Sequence, residues 1–385
     1  MKIKKYFPIS VPNINGNEGK YLQECVDTEY VSSVGNFVSL FEEKLAKHAC
    51  SKFCIAVNSG TSALHAALLC SGVGKDDIVL TSNYSFVASA NAILYAQATP
   101  IFFDIEGESL NADLELIENY LENECSFDGA TITEKVSRKR IGAILLIFAL
   151  GNPIDSKKID SIKRKWKLPI IIDGAAAIGA KSNNLELGKL NVDYITLSFN
   201  GNKTITCGGG GAMLTNKFKN YEVAKHITTT ARDGENYYHD QLGFNYRLTN
   251  VHAAIGLAQL EKIDLFLERK RQIFKNYKEE LLKYNFLSFY EEPSWSKSSL
   301  WLSYFLCSDL KIDLQKIFKQ KNLSVRKFWM PLSSLGHLKN FRVVRDHLSK
   351  SISEKLYVLP SSTNLSDSDQ SMIIDTIKYI FDNLK

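Results

Sequence analysis

The run Ser198-Phe-Asn-Gly-Asn-Lys203-Thr-Ile-Thr-Cys-Gly208-Gly-Gly-Gly211 sets one lysine between an apolar segment and four consecutive glycines. Asp193-Tyr-Ile-Thr-Leu197 before it is short, apolar and β-branched, which reads as a buried strand. Lys203 then falls on the loop at that strand's carboxyl end, the edge of an open α/β sheet where ligands bind. A lysine desolvated in such a crevice has a lowered pKa and can form a Schiff base with an aldehyde. The glycines let backbone pass close to a bulky ring. This segment alone also fits a solvated loop lysine beside a glycine hinge.

Leu168-Pro-Ile-Ile-Ile-Asp173-Gly-Ala-Ala-Ala177 supplies a possible counterpart. Three isoleucines in a row make a strand buried on both faces, and a carboxylate at its end is costly unless a cation meets it. A pyridinium nitrogen is such a cation, and pyridoxal phosphate enzymes use a carboxylate there to keep the ring protonated. The alternative makes Asp173 a cap for a helix through the following alanines. In Phe53-Cys-Ile-Ala-Val57-Asn-Ser-Gly60-Thr-Ser-Ala-Leu-His65, a strand and a small-residue turn lead into a helix. The helix start, with Gly60 and the hydroxyls of Thr61 and Ser62, makes an anion seat. It matches neither the triphosphate loop nor the dinucleotide glycine pattern.

Taken in order, these elements resemble the sugar-nucleotide aminotransferases, a family of fold type I pyridoxal phosphate enzymes. The resemblance runs from Val11-Pro-Asn and Tyr30-Val-Ser-Ser-Val-Gly35 through Asn83-Tyr-Ser-Phe86-Val-Ala-Ser-Ala-Asn91 to Gly243-Phe-Asn245-Tyr-Arg247-Leu-Thr-Asn250. Val325-Arg-Lys-Phe-Trp329 and Leu359-Pro-Ser-Ser-Thr363 look like its closing segments. The resemblance implies that Lys203 bonds the cofactor's aldehyde, Asp173 pairs with the ring nitrogen and Phe86 stacks on the ring. It also implies that Gly60, Thr61, Ser62 and Ser198 hold the phosphate, and that Asn245 reaches in from a second subunit. Tyr30, Arg247 and Trp329 are expected against the substrate. A homodimer with two shared sites, L-glutamate as amino donor and a nucleotide-linked keto sugar as acceptor complete the expectation.

Length and composition agree with that reading. At 385 residues and 45% apolar, the chain can bury a large core and build two domains, expected over residues 1–248 and 249–385. Seven strand-like runs, from Phe53–Val57 to Gly211–Leu214, alternate with helical patterns. They predict an α/β fold with a mostly parallel seven-stranded sheet, followed by a smaller C-terminal α+β domain. From Thr249 the apolar positions Val251 to Phe266 follow a long, roughly helical period, read as the link into that second domain. A strand near Ser299 to Cys307 and a terminal helix from Ser366 follow.

The opening Met1-Lys-Ile-Lys-Lys5-Tyr-Phe-Pro8 is basic but lacks the apolar stretch of a secretory leader. The apolar run Ile141 to Leu150 is too short for the ~20 residues that span a bilayer. A cytoplasmic protein is expected. Seven cysteines without Cys-x-x-Cys pairs argue against a disulfide framework or a zinc site. The net charge of +5 is modest, and the basic run at 157–167 reads as the solvated face of a helix. No nucleic-acid module is evident.

Four positions depart from the family pattern: Ala176 where Gln or Glu is common, Tyr30 for Trp, Phe148 for His and Ser333 for His. The motif Asn-Gly-Asn-Lys-Thr-Ile-Thr-x-Gly-Gly-Gly-Gly resembles 4-aminotransferases acting on UDP-linked 4-keto-6-deoxy-N-acetylglucosamine. GDP- and dTDP-linked 4-keto or 3-keto deoxyhexoses stay open, as does a non-catalytic binder of cofactor or sugar. A sugar 3-dehydratase on the same scaffold is disfavoured, because that branch carries histidine in place of the lysine.

Overall fold

All seven runs form strands of one sheet, and each is buried because apolar residues face helices on both sides of it. The computed structural model describes residues 5–234, 237–308 and 312–384. Residues 1–4 of the basic opening, and Glu235 and Asn236, lie outside the described residues. The sheet order is Phe53–Val57, Gly211–Thr215, Tyr194–Ser198, Ile170–Asp173, Ile141–Ile147, Ile78–Ser82, Thr99–Phe103 and Val343–Val344. Gly211–Thr215 runs antiparallel to both neighbours, and every other pairing is parallel.

Alternation within the strands divides the core into two layers. Ile55, Val79, Leu145 and Met213 pack with Leu64 and Leu68 of the helix Gly60–Cys70. Their neighbours Ala56, Leu80, Leu146 and Leu214 pack on the opposite face, with Phe41 of Asn36–His48 and Ile159 of Ser156–Trp166. This double burial explains why the sequence reads as continuous apolar runs. The helix Ser156–Trp166 carries the expected basic solvated face.

Three sequence expectations change. The sheet has an eighth strand, Val343–Val344, which lies parallel to Phe102 and Phe103. Two residues between arginines are too short to show periodicity. The long helical period after Thr249 is two helices, Asn250–Leu260 and Ile263–Leu281. Their junction is tied to the N-terminal segment: Glu261 accepts from Asn17 Nδ2 at 2.7 Å and Tyr21 Oη at 2.6 Å, and Lys262 Nζ donates to the Asn15 carbonyl at 2.5 Å. The strand expected from Ser299 begins only at Tyr304, because Ser298 and Ser299 use their hydroxyls to clamp the carbonyls of Gly151 and Ala176.

A second sheet, ordered Leu287–Phe289, Tyr304–Cys307, Leu356–Val358 and Arg326–Lys327, packs under Ile263–Leu281 and the terminal helix Asp367–Asp382. Ser366 caps that last helix by accepting from Asp369 N at 3.1 Å. The first residues of the chain also reach this layer, where Phe7 bridges to Leu323.

Inside it lies Lys270, 2% exposed, whose Nζ donates to the carbonyls of Trp301 at 2.8 Å and Ser361 at 2.5 Å. Burial lowers its pKa from 10.5 to about 7. A neutral amine has two N–H donors, matching the two carbonyls it meets. Between those pH values the unfolded chain holds a proton that the folded chain lacks, so this residue's contribution to stability rises with pH from about 7 towards 10.5. Lys270→Met is expected to flatten that rise in chemical denaturation measured across the window. Equal slopes in both proteins would refute the assignment.

Candidate active site

The carboxyl ends of five strands converge on a cavity of about 520 Å³. Asp173 ends one strand and Ser198 another, while Phe148, Ser85 with Phe86, and Asn58 to Thr61 follow three more. Trp301, on the loop before the strand Tyr304–Cys307, and the segment Arg326 to Trp329 close the cavity.

Lys203 enters from the turn after Tyr194–Ser198, where its amide donates to the Asn200 carbonyl at 3.0 Å. The side chain is half-buried. Desolvation of its amine brings the pKa from 10.5 down to about 8, and the charge of Asp173 partly opposes the shift. Nζ lies 4.0 Å from the centroid of the Trp301 ring. This lysine is neutral above about pH 8 and available there as a base or nucleophile.

Asp173 is buried, with Oδ2 accepting from Ser89 Oγ at 2.6 Å and Oδ1 from the Ala175 amide at 3.1 Å. Two donors orient the carboxylate while it faces the cavity. The helix-cap alternative fails, because residues 174–180 turn without forming a helix.

The turn read as an anion seat leads into the helix Gly60–Cys70. Ser59 caps the helix Gly60–Cys70, its Oγ accepting from Ser62 N at 3.0 Å, a cap typically worth about 1 kcal/mol. The Ser62 hydroxyl turns to Asn58 Oδ1 at 2.6 Å, and Ser62 does not line the cavity, whereas Ser59, Gly60, Thr61 and Ser198 do. The first amides of a helix have no partner within it. Glycine is required here by protein packing: a Cβ on Gly60 would sit 2.8 Å from Ser198 Cβ, and one on Gly211 2.5 Å from the Ser59 carbonyl. The last glycine of the run thus serves a backbone contact, while Gly209 and Gly210 line the cavity.

Phe86 is 59% exposed and presents its ring to the cavity, and Trp329 lines it too. Tyr30, Asn245 and Arg247 do not line this chain's own cavity. Tyr30 is exposed, and its carbonyl accepts from Asn250 Nδ2 at 2.7 Å. Asn245 is exposed, with its carbonyl accepting from Asn58 Nδ2 at 3.3 Å. Arg247 bridges to Val57 and leaves a buried Nε without a hydrogen-bond partner. Of the departures, Phe148 and Ala176 line the cavity, and the Ala176 carbonyl is taken by Ser299 Oγ at 2.6 Å.

Sequence reasoning did not single out Asn202, Trp301 and Arg326 as cavity residues. Asn202 adjoins Lys203, and Arg326 lies in a quoted segment. Trp301 carried no local signal. Cys207 is buried against Gly256 and does not line the cavity.

These groups suit pyridoxal phosphate: an amine for its aldehyde, a carboxylate for its ring nitrogen, an aromatic face and a helix start for its phosphate. Among the described residues no cluster of three or more metal-ligating side chains occurs, and no helix is long and apolar enough to cross a membrane.

The profile of the DegT/DnrJ/EryC1/StrS aminotransferase family matches residues 12–378. The chain is 37% identical over 278 residues to a GDP-perosamine synthase of Escherichia coli O157:H7, covering 72% of each chain. It is 31% identical over 290 residues to a UDP-4-amino-4,6-dideoxy-N-acetyl-beta-L-altrosamine transaminase of Campylobacter jejuni, covering 74% of this chain and 73% of that one. The crystal structure of a DegT DnrJ EryC1 StrS aminotransferase from Brucella abortus superposes with a TM-score of 0.86 at 25% identity, covering 94% of this chain and 95% of that one. The chain belongs to the DegT/DnrJ/EryC1/StrS family and is a pyridoxal phosphate-dependent sugar aminotransferase.

Proposed function

We propose that this enzyme moves the amino group of L-glutamate to the C4 ketone of a GDP-linked 4-keto-6-deoxyhexose. The 37% identity to a GDP-perosamine synthase carries the choice of nucleotide. The bound cofactor supplies the electron sink for the carbanion at the donor's α-carbon. Lys203 would take the proton from that carbon and give it up within the same half, and would carry the opposite transfer in the half on the sugar. Asp173, fixed by Ser89 and the Ala175 amide, keeps the ring nitrogen protonated. Phe86 and the helix start at Ser59 hold the geometry, while Trp329 forms a wall on the substrate side.

The sequence-based expectation of a UDP-linked 4-keto-6-deoxy-N-acetylglucosamine stands as a second reading, supported by the 31% identity to a UDP-sugar transaminase. A panel of GDP-, UDP- and dTDP-linked 4-keto sugars with L-glutamate separates them, read by 2-oxoglutarate release and by mass and NMR of the amino sugar. The GDP-linked ketone is expected to give the highest kcat/KM. A higher value for the UDP sugar would reverse the choice.

The reading includes a homodimer in which Asn245 completes the neighbouring phosphate site. In its support, Tyr237, Tyr238 and Leu242 beside Asn245 are large apolar side chains left exposed, Leu242 by 80%. Asn245→Asp would repel the phosphate and is expected to impair activity severely. Mixing it with Lys203→Ala chains puts both lesions in one site and leaves the other intact, so verified heterodimers should regain part of the wild-type activity. Heterodimers without any regain would exclude the shared site.

A further inference from the structure

Trp301 lies outside the family segments quoted above, yet its ring is the aromatic face against which the Lys203 amine rests, 4.0 Å from its centroid. Trp301 is 3% exposed and fastened from two directions, at its indole and at its backbone. Its Nε1 donates at 2.7 Å to the carbonyl of Asn202, the residue before Lys203, and the same carbonyl accepts from Ser10 Oγ at 3.0 Å. Its own carbonyl accepts from the buried Lys270 at 2.8 Å, whose amine also ties down Ser361 at 2.5 Å. Phe328 and Trp329 crowd the ring, with centroids 5.9 and 6.5 Å away. Three parts of the chain therefore converge on one indole and on the backbone next to the lysine.

The chemistry gives that arrangement a use. With substrate bound, the Lys203 amine would be free, and it would have to accept a proton from one carbon and deliver it to another. A carboxylate or carbonyl would hold the amine by gripping its hydrogens. An aromatic face attracts the ammonium through its quadrupole, without a directional bond to any one hydrogen. The amine stays at a fixed distance while its proton remains free to leave.

We propose that Trp301 is a positioning residue whose indole face receives Lys203 Nζ whenever that amine is free of the cofactor, and that Lys270 fixes Trp301 in place through its backbone. This rests on Lys203 being the lysine that bonds the cofactor. The lone pair of the neutral amine would take the proton from the donor's α-carbon, giving an ammonium against the indole, and would then give that proton up again, restoring the neutral amine. The competing view is that Trp301 only fills the junction between the two sheets.

The test uses loaded Trp301→Leu, Trp301→Phe and Lys270→Met enzymes. Borohydride reduction and peptide mapping first establish that cofactor sits on Lys203 in the wild type. Label on another lysine would sink the parent assignment, and this inference with it. Single turnovers with L-glutamate and with its α-deuterated form then follow.

Trp301→Leu is expected to slow the single turnover on the order of 100-fold, as misplacement of a reacting group does, with a larger deuterium effect than the wild type shows. Trp301→Phe should slow it less, because it keeps an aromatic face while losing the donor to Asn202. Lys270→Met should show the same isotope signature. A second readout needs no cofactor: after reductive methylation with isotope-labelled methyl groups, the Lys203 signal, assigned by its loss in Lys203→Ala, should lie upfield from the indole ring current and return to the ordinary position in Trp301→Leu.

A wild-type rate in Trp301→Leu, or slowing with an unchanged deuterium effect, would overturn the proposal in favour of simple filling. If Trp301→Leu holds no cofactor, Trp301→Phe decides by the same two measurements.

Discussion

Lys203→Ala is expected to lower turnover on the order of 10,000-fold, the upper range for losing a positioned acid–base group, with the covalent attachment lost besides. Noncovalent cofactor binding should survive, since the helix start at Ser59 to Thr61, proposed to hold the phosphate, belongs to a different strand–helix unit. Borohydride should fix cofactor mass on Lys203 in the wild type and on no residue of the variant. Equilibrium dialysis should still show the variant binding cofactor. Label on a different lysine, or full activity without Lys203, would move the chemistry elsewhere.

Asp173→Asn is expected to cost on the order of 100-fold or more in transamination, because it removes the charge that stabilises the ring's proton. The amide oxygen can still accept from Ser89 Oγ or the Ala175 amide, which now contact the carboxylate at 2.6 and 3.1 Å, so the shape of the site should persist. Cofactor occupancy should fall less than turnover. The absorbance of the bound cofactor should show loss of the ring-protonated form. Near-normal turnover with a fully loaded site would leave Asp173 as a merely structural carboxylate.

The residues that chemistry singles out were legible because their types are costly where they stand. An aspartate after three isoleucines and a lysine between a strand and a glycine run each demand a partner, and both line one cavity. The turn Ser59 to Ser62 and the helix after it were legible. Helix periodicity does not say which of several hydroxyls turns inward to cap, and Ser59 took that role while Ser62 bonded Asn58.

Other features depend on contacts between distant segments. Trp301 meets Lys203 only because a loop before the second sheet folds over the carboxyl edge of the first. The break at Glu261 and Lys262 is set by Asn15, Asn17 and Tyr21, far away in sequence. At Ala176 the backbone carbonyl, which no substitution pattern displays, is held by Ser299.

The late strand Val343–Val344 has a consequence for how the chain is made. The amide of Phe102 donates to the Arg342 carbonyl at 3.0 Å and that of Asp104 to Val344 at 3.2 Å, so this short piece covers the outer edge of Thr99–Phe103. Seven strands of the sheet are complete by Thr215, but the edge stays open until residue 343 emerges. At roughly 5–20 residues per second, the 240 residues from Phe103 to Val343 take about 10–50 s to synthesise. For that interval a row of unpaired amides and carbonyls is a template for another chain. Nascent or truncated forms ending before residue 343 should therefore depend on chaperones, and should aggregate through that edge rather than through the open cavity.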